Sequence, residues 1–213
     1  MGAAQLQLPA RKRGIPMHTL ETPRLILRPP SHSDELLLHG LYSDPLVVNA
    51  VRDGVYPTIE QSKVALLRLI NHWQHNRFGL WMVFIKIEGQ SRKFAGCCGL
   101  MCSGPNLPEN PNNVELEYYL HLEASGKGMA PEAGRAAIQF AFEYLGLEKV
   151  TAFIRTTNKR ALRAAPKVGL FYIGDRIYNK MTMRYLEVSP LTAVEVNNLI
   201  VAPYTNPEFI QNH

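Results

Sequence analysis

The segment Ser125-Gly126-Lys127-Gly128-Met129-Ala130-Pro131-Glu132 constrains this chain more than any other. It joins an alternating, strand-like run at residues 114–121 to a helix-like run, with Pro131 where a proline at the first helical position would start the helix. Two glycines let backbone N–H groups approach an anion closely, and a helix N-terminus adds free donors at the positive end of its dipole. The outline is a diphosphate cradle. The plainer reading is a strand-to-helix turn that needs glycine only for its geometry.

Motifs that do not fit narrow the ligand. A Walker A loop needs a hydroxyl residue after its lysine to reach magnesium, and Gly128 follows Lys127. A Rossmann fingerprint needs a third small residue where Pro131 stands, and no acidic ribose partner follows at the right distance. Neither a nucleoside-triphosphatase nor a dinucleotide enzyme is expected.

At 213 residues one domain with a substantial core is expected. No run reaches transmembrane length and the N-terminus lacks a signal-peptide core, so a soluble protein with no membrane partner is expected. Met1-Gly2 opens like a myristoylation site, but Leu6 stands where Ser or Thr is required. Cys97, Cys98 and Cys102 fit no disulfide framework and have no second ligand cluster at zinc spacing. They read as structural strand cysteines in a reducing, cytoplasmic setting, with no metal. The net charge of +5 is mild. Arg155, Lys159, Arg160, Arg163 and Lys167 nevertheless crowd one short helical region, as a solvated face or as phosphate ligands.

Residues 1–18, with Arg11-Lys12-Arg13, lack any apolar period and read as a flexible extension, with Met17 a second candidate start. Residues 20–28 read as a strand ended by Pro29-Pro30, and Ser33 or Asp34 caps a short helix to Tyr42. Thr58 and Gln61 form a capping box ahead of a longer amphipathic helix. Residues 78–87 and 94–101 read as a hairpin around residues 88–91, followed by a Pro- and Asn-rich loop at 103–113. Beyond the glycine turn the pattern predicts a helix over 131–145, with Gly134, Ala137, Ile138, Ala141, Tyr144 and Leu145 on its apolar face and Gly146 closing it. A strand at 149–155, an Asn158-capped helix shortened by Pro166, and a terminal pair at 171–178 and 180–186 complete the domain. The domain spans 19–188, and 189–213 is a tail.

This order of elements, with "TPRLILRPP", "GLWMVFIK", "KFAGCCGL", "SGKGMAPEAGRAAIQFAFEYLGLEKV" and "RTTNKRALRAAPKVGLFYIG", resembles the GNAT family of N-acetyltransferases, in its RimJ/RimL-like branch. The resemblance runs from about Leu20 to Leu186. It implies an α/β fold: a central, mostly antiparallel mixed sheet with a splayed central strand pair and helices on both faces. It implies acetyl-CoA as cosubstrate and direct transfer, in a ternary complex, to a primary amine of a protein N-terminus or a small molecule. The family's Arg/Gln-x-x-Gly-x-Gly/Ala signature meets Gly128 and Ala130 here, with Ser125 in the Arg/Gln place. By resemblance the backbone of Gly126, Lys127, Gly128, Met129 and Ala130 cradles the diphosphate. The backbone of Leu120, His121 and Leu122 pairs with the pantetheine, Asn158 contacts that arm, and Lys159 and Arg160 lie near the phosphates.

Acetyl transfer needs a neutral amine, an oxyanion donor and a proton for the departing thiolate. Glu115, Glu117, Tyr119 and His121 alternate on one strand, so an unbulged strand shows all four on one face. Neighbouring carboxylates raise one another's pKa, which suits a general base acting directly or through water. Glu115 is the first choice because it matches a glutamate frequent on this strand in the family. Glu117 is the second, and both also read as a solubilising pair. His121 reads as a satisfied surface histidine. The family's usual general-acid tyrosine falls at Ala165, which leaves Tyr119 or Tyr178 as substitutes. Trp73, Trp81, Tyr42 and Tyr178 are candidates for acceptor-pocket walls or plain core. Two other classes stay open: a CoA-binding interaction module with weakened catalysis, and a basic nucleic-acid binder, the less favoured. A homodimer is also kept open.

Overall fold

The computed structural model describes residues 19–51, 54–89, 91–102, 113–178 and 180–190. The expected extension at 1–18, nearly all of the 103–113 loop and the tail beyond 190 lie outside the described residues. Among the described residues eight strands form one sheet: β1 (Leu20–Glu21), β2 (Leu25–Arg28), β3 (Leu80–Ile85), β4 (Lys93–Cys102), β5 (Val114–Leu120), β6 (Val150–Arg155), β7 (Phe171–Tyr178) and β8 (Met181–Val188). Their order is β1-β2-β3-β4-β5-β6-β8-β7. Every neighbouring pair is antiparallel except β5 and β6, which meet in parallel at the single pair Glu115 and Thr151 and then part. The mixed sheet splayed at its centre is the architecture expected from the sequence.

Among the described residues five helices flank it: α1 (Glu35–Tyr42), α2 (Pro45–Val51), α3 (Ile59–Asn76), α4 (Met129–Glu143) and α5 (Lys159–Ala164). Alternation along the strands divides the core into two layers. On one face Leu116 and Leu120 of β5 and Cys98 and Leu100 of β4 pack against Ala133, Ala137 and Ala141 of α4. On the other, Cys97 of β4 and Met82 of β3 pack against Leu38 and Leu41 of α1 and Leu66 and Leu69 of α3. The small residues of α4 bring it close to the sheet and to the turn after α5. At Gly134 the place a Cβ would occupy lies only 2.7 Å from Val168 Cγ1.

Local signals act as the sequence suggests. Thr58 Oγ1 accepts from Gln61 N at 3.2 Å, and Gln61 Oε1 accepts from Thr58 N at 3.0 Å, a reciprocal capping box at the start of α3. Asn158 Oδ1 accepts from Ala161 N at 3.1 Å at the start of α5. Pro166 stands inside a tightened 3₁₀ turn, Ala165–Val168, that follows α5.

Several expectations change. α4 begins at Met129, so Pro131 is its third residue rather than its first, a position whose missing N–H still has no intrahelical partner to lose. The helix ends at Glu143, and Tyr144 is 52 % exposed instead of facing the core. Of the two readings kept open for Trp73 and Trp81, plain core holds: both are fully buried, pack edge to face, and Trp73 donates to the Leu80 carbonyl. α2 is an element the sequence reading lacked. Asp44 caps it, accepting from Leu46 N through Oδ1 at 2.9 Å, and Pro45 occupies its first position.

Candidate functional site

The glycine turn adopts a conformation that only glycine takes readily. Gly126 and Gly128 both have φ near 76°, and Gly128, in the left-handed region, is the N-cap of α4. Among the described residues, the N–H groups of Gly126, Lys127, Gly128, Met129 and Ala130 donate to no acceptor; the first backbone bond of the helix runs from Glu132 N to Gly128 O. A run of free donors at the positive end of a 15-residue helix is suited to an anion.

Beside this turn the sheet opens. His121 N donates to Ala95 O, which sets the phase of the β4–β5 ladder: Glu115, Glu117 and Tyr119 exchange backbone bonds with β4. The alternation turns the N–H and C=O of Tyr118 and Leu120 the other way, into the gap between β5 and β6. Of the three residues expected to present backbone to an extended arm, Leu120 has its N–H and C=O in this gap, whereas His121 and Leu122 have theirs engaged. The His121 N–H is spent on Ala95 and its carbonyl on Ala124 and Ser125, while Leu122 N donates to Asp44 Oδ2 at 3.2 Å. The same Asp44 oxygen lies 3.0 Å from His121 Nδ1. His121 is thus a fastening between the end of β5 and the start of α2.

A cavity of about 440 Å³ occupies this opening. Its walls are Leu46, Val47 and Ala50 of α2, the end of β5 from Tyr118, the glycine turn, and α5 with the turn that follows it. The volume falls in the range of small-molecule sites. Asn158 and Arg160 line it, whereas Lys159 does not. Arg163 and Lys167, noted in sequence only as part of a basic run, line it as well. Lys127 is the one residue from Ser125 to Pro131 outside the wall, because its carbonyl accepts from Arg24 Nη1 at 2.9 Å on the far side of the turn. Free amides, three cationic side chains and an open strand edge together form a donor set that fits the diphosphate, the phosphate and the amide-bearing arm of CoA.

The odd residues of β5 face the α1–α3 layer. Tyr119 lines the cavity, and its hydroxyl donates to Glu117 Oε2 at 2.6 Å. Burial holds the Glu117 carboxyl above the usual range, with the Tyr119 bond offsetting part of the rise. Burial and the Glu117 charge push the Tyr119 phenol well above its ordinary value, so it keeps its proton. The ring of Tyr42 meets that of Tyr119 edge to face at 6.2 Å between centroids. Tyr178, stacked on Phe153, is raised by burial and by the charges of Glu115 and Glu117, so its hydroxyl shares their field. Glu115 is 6 % exposed, deeper than Glu117 and at the one point where β5 and β6 still pair. Of these four groups Tyr119 lines the cavity, Glu117 is bonded to it, and Tyr178 lies in the field of both carboxylates.

Ala165 is fully buried and lies outside the cavity wall. Tyr118, which the sequence reading passed over, lines the cavity from the α4 face and donates to Ala161 O at 3.3 Å. Its signal was present, since a strand alternating between two functional faces exposes its even residues too. Cys97 and Cys98 are buried, and burial pushes both thiols far above the range in which they would react. Among the described residues no group of three His, Cys, Asp or Glu side chains could hold a metal ion, and no helix is long and apolar enough to cross a membrane.

Residues 24–170 match the family described as "Acetyltransferase (GNAT) domain". The chain is similar to the uncharacterized protein YkkB of Bacillus subtilis (strain 168), 31 % identical over 72 % of this chain and 85 % of that protein. It is also similar to the uncharacterized N-acetyltransferase p20 of Bacillus licheniformis, 28 % identical over 81 % of this chain and 93 % of that protein. In fold it resembles the solved structure of aminoglycoside acetyltransferase AAC(6')-Ib in complex with coenzyme A. The TM-score is 0.68 at 17 % identity, covering 81 % of this chain and 99 % of that one.

Proposed function

This chain belongs to the GNAT family of acetyltransferases, and from that premise we propose that it transfers the acetyl group of acetyl-CoA to a primary amine held beside Glu117. The observation that carries this reading is the bond from Tyr119 to Glu117, which ties a cavity suited to CoA to a desolvated carboxylate.

Acetyl-CoA supplies an activated thioester when bound. The N–H groups of Gly126, Gly128, Met129 and Ala130 hold its diphosphate, and Arg160, Arg163 and Lys167 add positive charge around the phosphates. The exposed backbone of Leu120 and Tyr118 aligns the arm as an added strand, and one of these N–H groups stabilises the oxyanion that develops on the acetyl carbonyl. Glu117, with its raised pKa, takes the proton that a protonated amine must lose before it attacks. Glu115, deeper and beside it, keeps the local potential negative and so favours binding of an ammonium group. Tyr119 holds the Glu117 carboxylate in place. A thiolate with a pKa near 8.5 leaves with modest help, so the absence of a tyrosine at position 165 does not forbid turnover.

The acceptor we favour is a cationic primary amine, a peptide N-terminus of the kind used by RimJ/RimL-like enzymes or a small molecule, in a reducing, cytoplasmic compartment. Residues 19–188 form the catalytic domain. Release of free thiol from acetyl-CoA, measured against a panel of peptides and small amines, tests the proposal. Acceptor-dependent release is expected. Tight CoA binding with no release for any amine in a broad panel would favour a CoA-binding module instead, a reading supported by the alanine at position 165.

A further inference from the structure

Arg24 comes from the corner between β1 and β2, yet it is bound to the start of α4. Its Nε and Nη2 each lie 2.6 Å from Glu132 Oε2. Its backbone N–H donates to Glu132 Oε1 at 3.0 Å, and Thr22 Oγ1 donates to the same oxygen at 2.6 Å. The Glu132 side chain is only 10 % exposed, so this carboxylate is held by three groups of one corner. The remaining arm of the guanidinium, Nη1, donates to Lys127 O at 2.9 Å.

That last bond decides which way a peptide unit faces. In a trans peptide the carbonyl of Lys127 and the N–H of Gly128 point in opposite directions. Holding the carbonyl on the Arg24 side therefore turns the Gly128 N–H away from Arg24, and Gly128 lines the cavity while Lys127 does not. Because glycine adopts positive and negative φ with similar ease, the 127–128 unit could turn over at little cost and present a carbonyl oxygen to an anion instead.

We infer that Arg24, anchored by Glu132, is a positioning residue that fixes the Lys127–Gly128 peptide with its N–H toward the bound diphosphate. This rests on the reading that the turn takes the diphosphate of CoA. Lysine cannot replace Arg24 in this role, because one ammonium cannot satisfy Glu132 and the Lys127 carbonyl in the fixed fork geometry of a guanidinium.

Calorimetric titration of the wild type, Arg24→Lys and Glu132→Gln with CoA and with pantetheine, which lacks the diphosphate, tests the inference. Arg24→Lys is expected to bind CoA about tenfold more weakly, the effect of one charge-assisted hydrogen bond. Its affinity for pantetheine and its melting temperature should stay near the wild-type values. Glu132→Gln should show the same selective loss, and the double variant should lose little more than either single one. Wild-type affinity for CoA in Arg24→Lys overturns the inference, as does an equal loss for both ligands. If the wild type itself binds no CoA, the underlying reading of the turn fails, and the inference with it.

Discussion

The Tyr119 hydroxyl donates a 2.6 Å hydrogen bond to Glu117 Oε2, joining the wall of the cavity to a half-buried carboxylate two residues back along β5. If Glu117 is the base, Glu117→Gln should lower kcat by roughly 10²- to 10⁴-fold while leaving the affinity for CoA nearly unchanged. Steady-state kinetics beside calorimetry check this. Glu115→Gln should cost less, because Glu115 shapes the potential without taking the proton, and a larger loss at Glu115 would exchange the two roles.

Glu117 must be ionised to act, so activity should fall as pH drops through its raised pKa. Tyr119 donates to the charged form and lowers that pKa. Tyr119→Phe should therefore move the acid limb of kcat/KM to higher pH, and an unmoved limb would separate Tyr119 from the base. The pH–rate profiles of the two proteins are the measurement.

The same raised pKa has a consequence for stability. A carboxyl whose folded pKa lies above its unfolded value favours the fold at low pH, and this contribution disappears as pH rises through the folded pKa. At pH 7 to 8 the ionised Glu117 is a burden on the native state. Glu117→Gln should melt at a higher temperature than the wild type there, with the difference vanishing below the ordinary glutamate pKa of about 4.3. Thermal melts at pH 4 and pH 8 decide it.

Asp44 joins α2 to β5 through Leu46 N, Leu122 N and His121. Burial pushes its carboxyl up, but these bonds outweigh burial and hold it below the usual range. Asp44→Ala should cost about 1–2 kcal/mol from the lost cap, and weaken CoA binding because Leu46, Val47 and Ala50 line the cavity. The stabilisation is present above the ordinary aspartate pKa and lost as pH falls through the folded value. Denaturation curves of variant and wild type should therefore converge in acid.

Gly134 faces Val168 with no room for a methyl group. Gly134→Ala gains helix propensity but forces apart α4 and the turn after α5, for an expected net loss of about 1–2 kcal/mol. Urea denaturation measures it, and an unchanged or raised midpoint would show that the turn can shift at no cost.

Much of the fold was legible because its signals are local. The capping box at Thr58 and Gln61, the Asn158 cap and the glycines at 126, 128, 146 and 169 each act within a few residues of themselves. α2 was overlooked although Asp44-Pro45 is a start signal, since the apolar Leu46-Val47-Val48 that follows has no clear period. The two tryptophans read as pocket wall or plain core, and their burial puts them in the core, where large aromatics dominate packing. The family resemblance implies that His121 and Leu122 pair with an extended arm. Their donors are taken by Ala95 and Asp44, and Asp44 lies 77 and 78 residues away in the chain.

The sequence by itself determined every element but α2, the family resemblance and the place of the glycine turn, because propensity, capping and glycine conformation are properties of short segments. Only the tertiary structure decided which backbone donors are already engaged, which carboxylate Tyr119 bonds, and that Arg24 takes the Lys127 carbonyl. Those outcomes depend on partners such as Arg24 and Glu132, 108 residues apart, whose meeting is set by the packing of the sheet against α4. A buried polar group takes whatever partner the fold brings to it, and no local pattern specifies that partner.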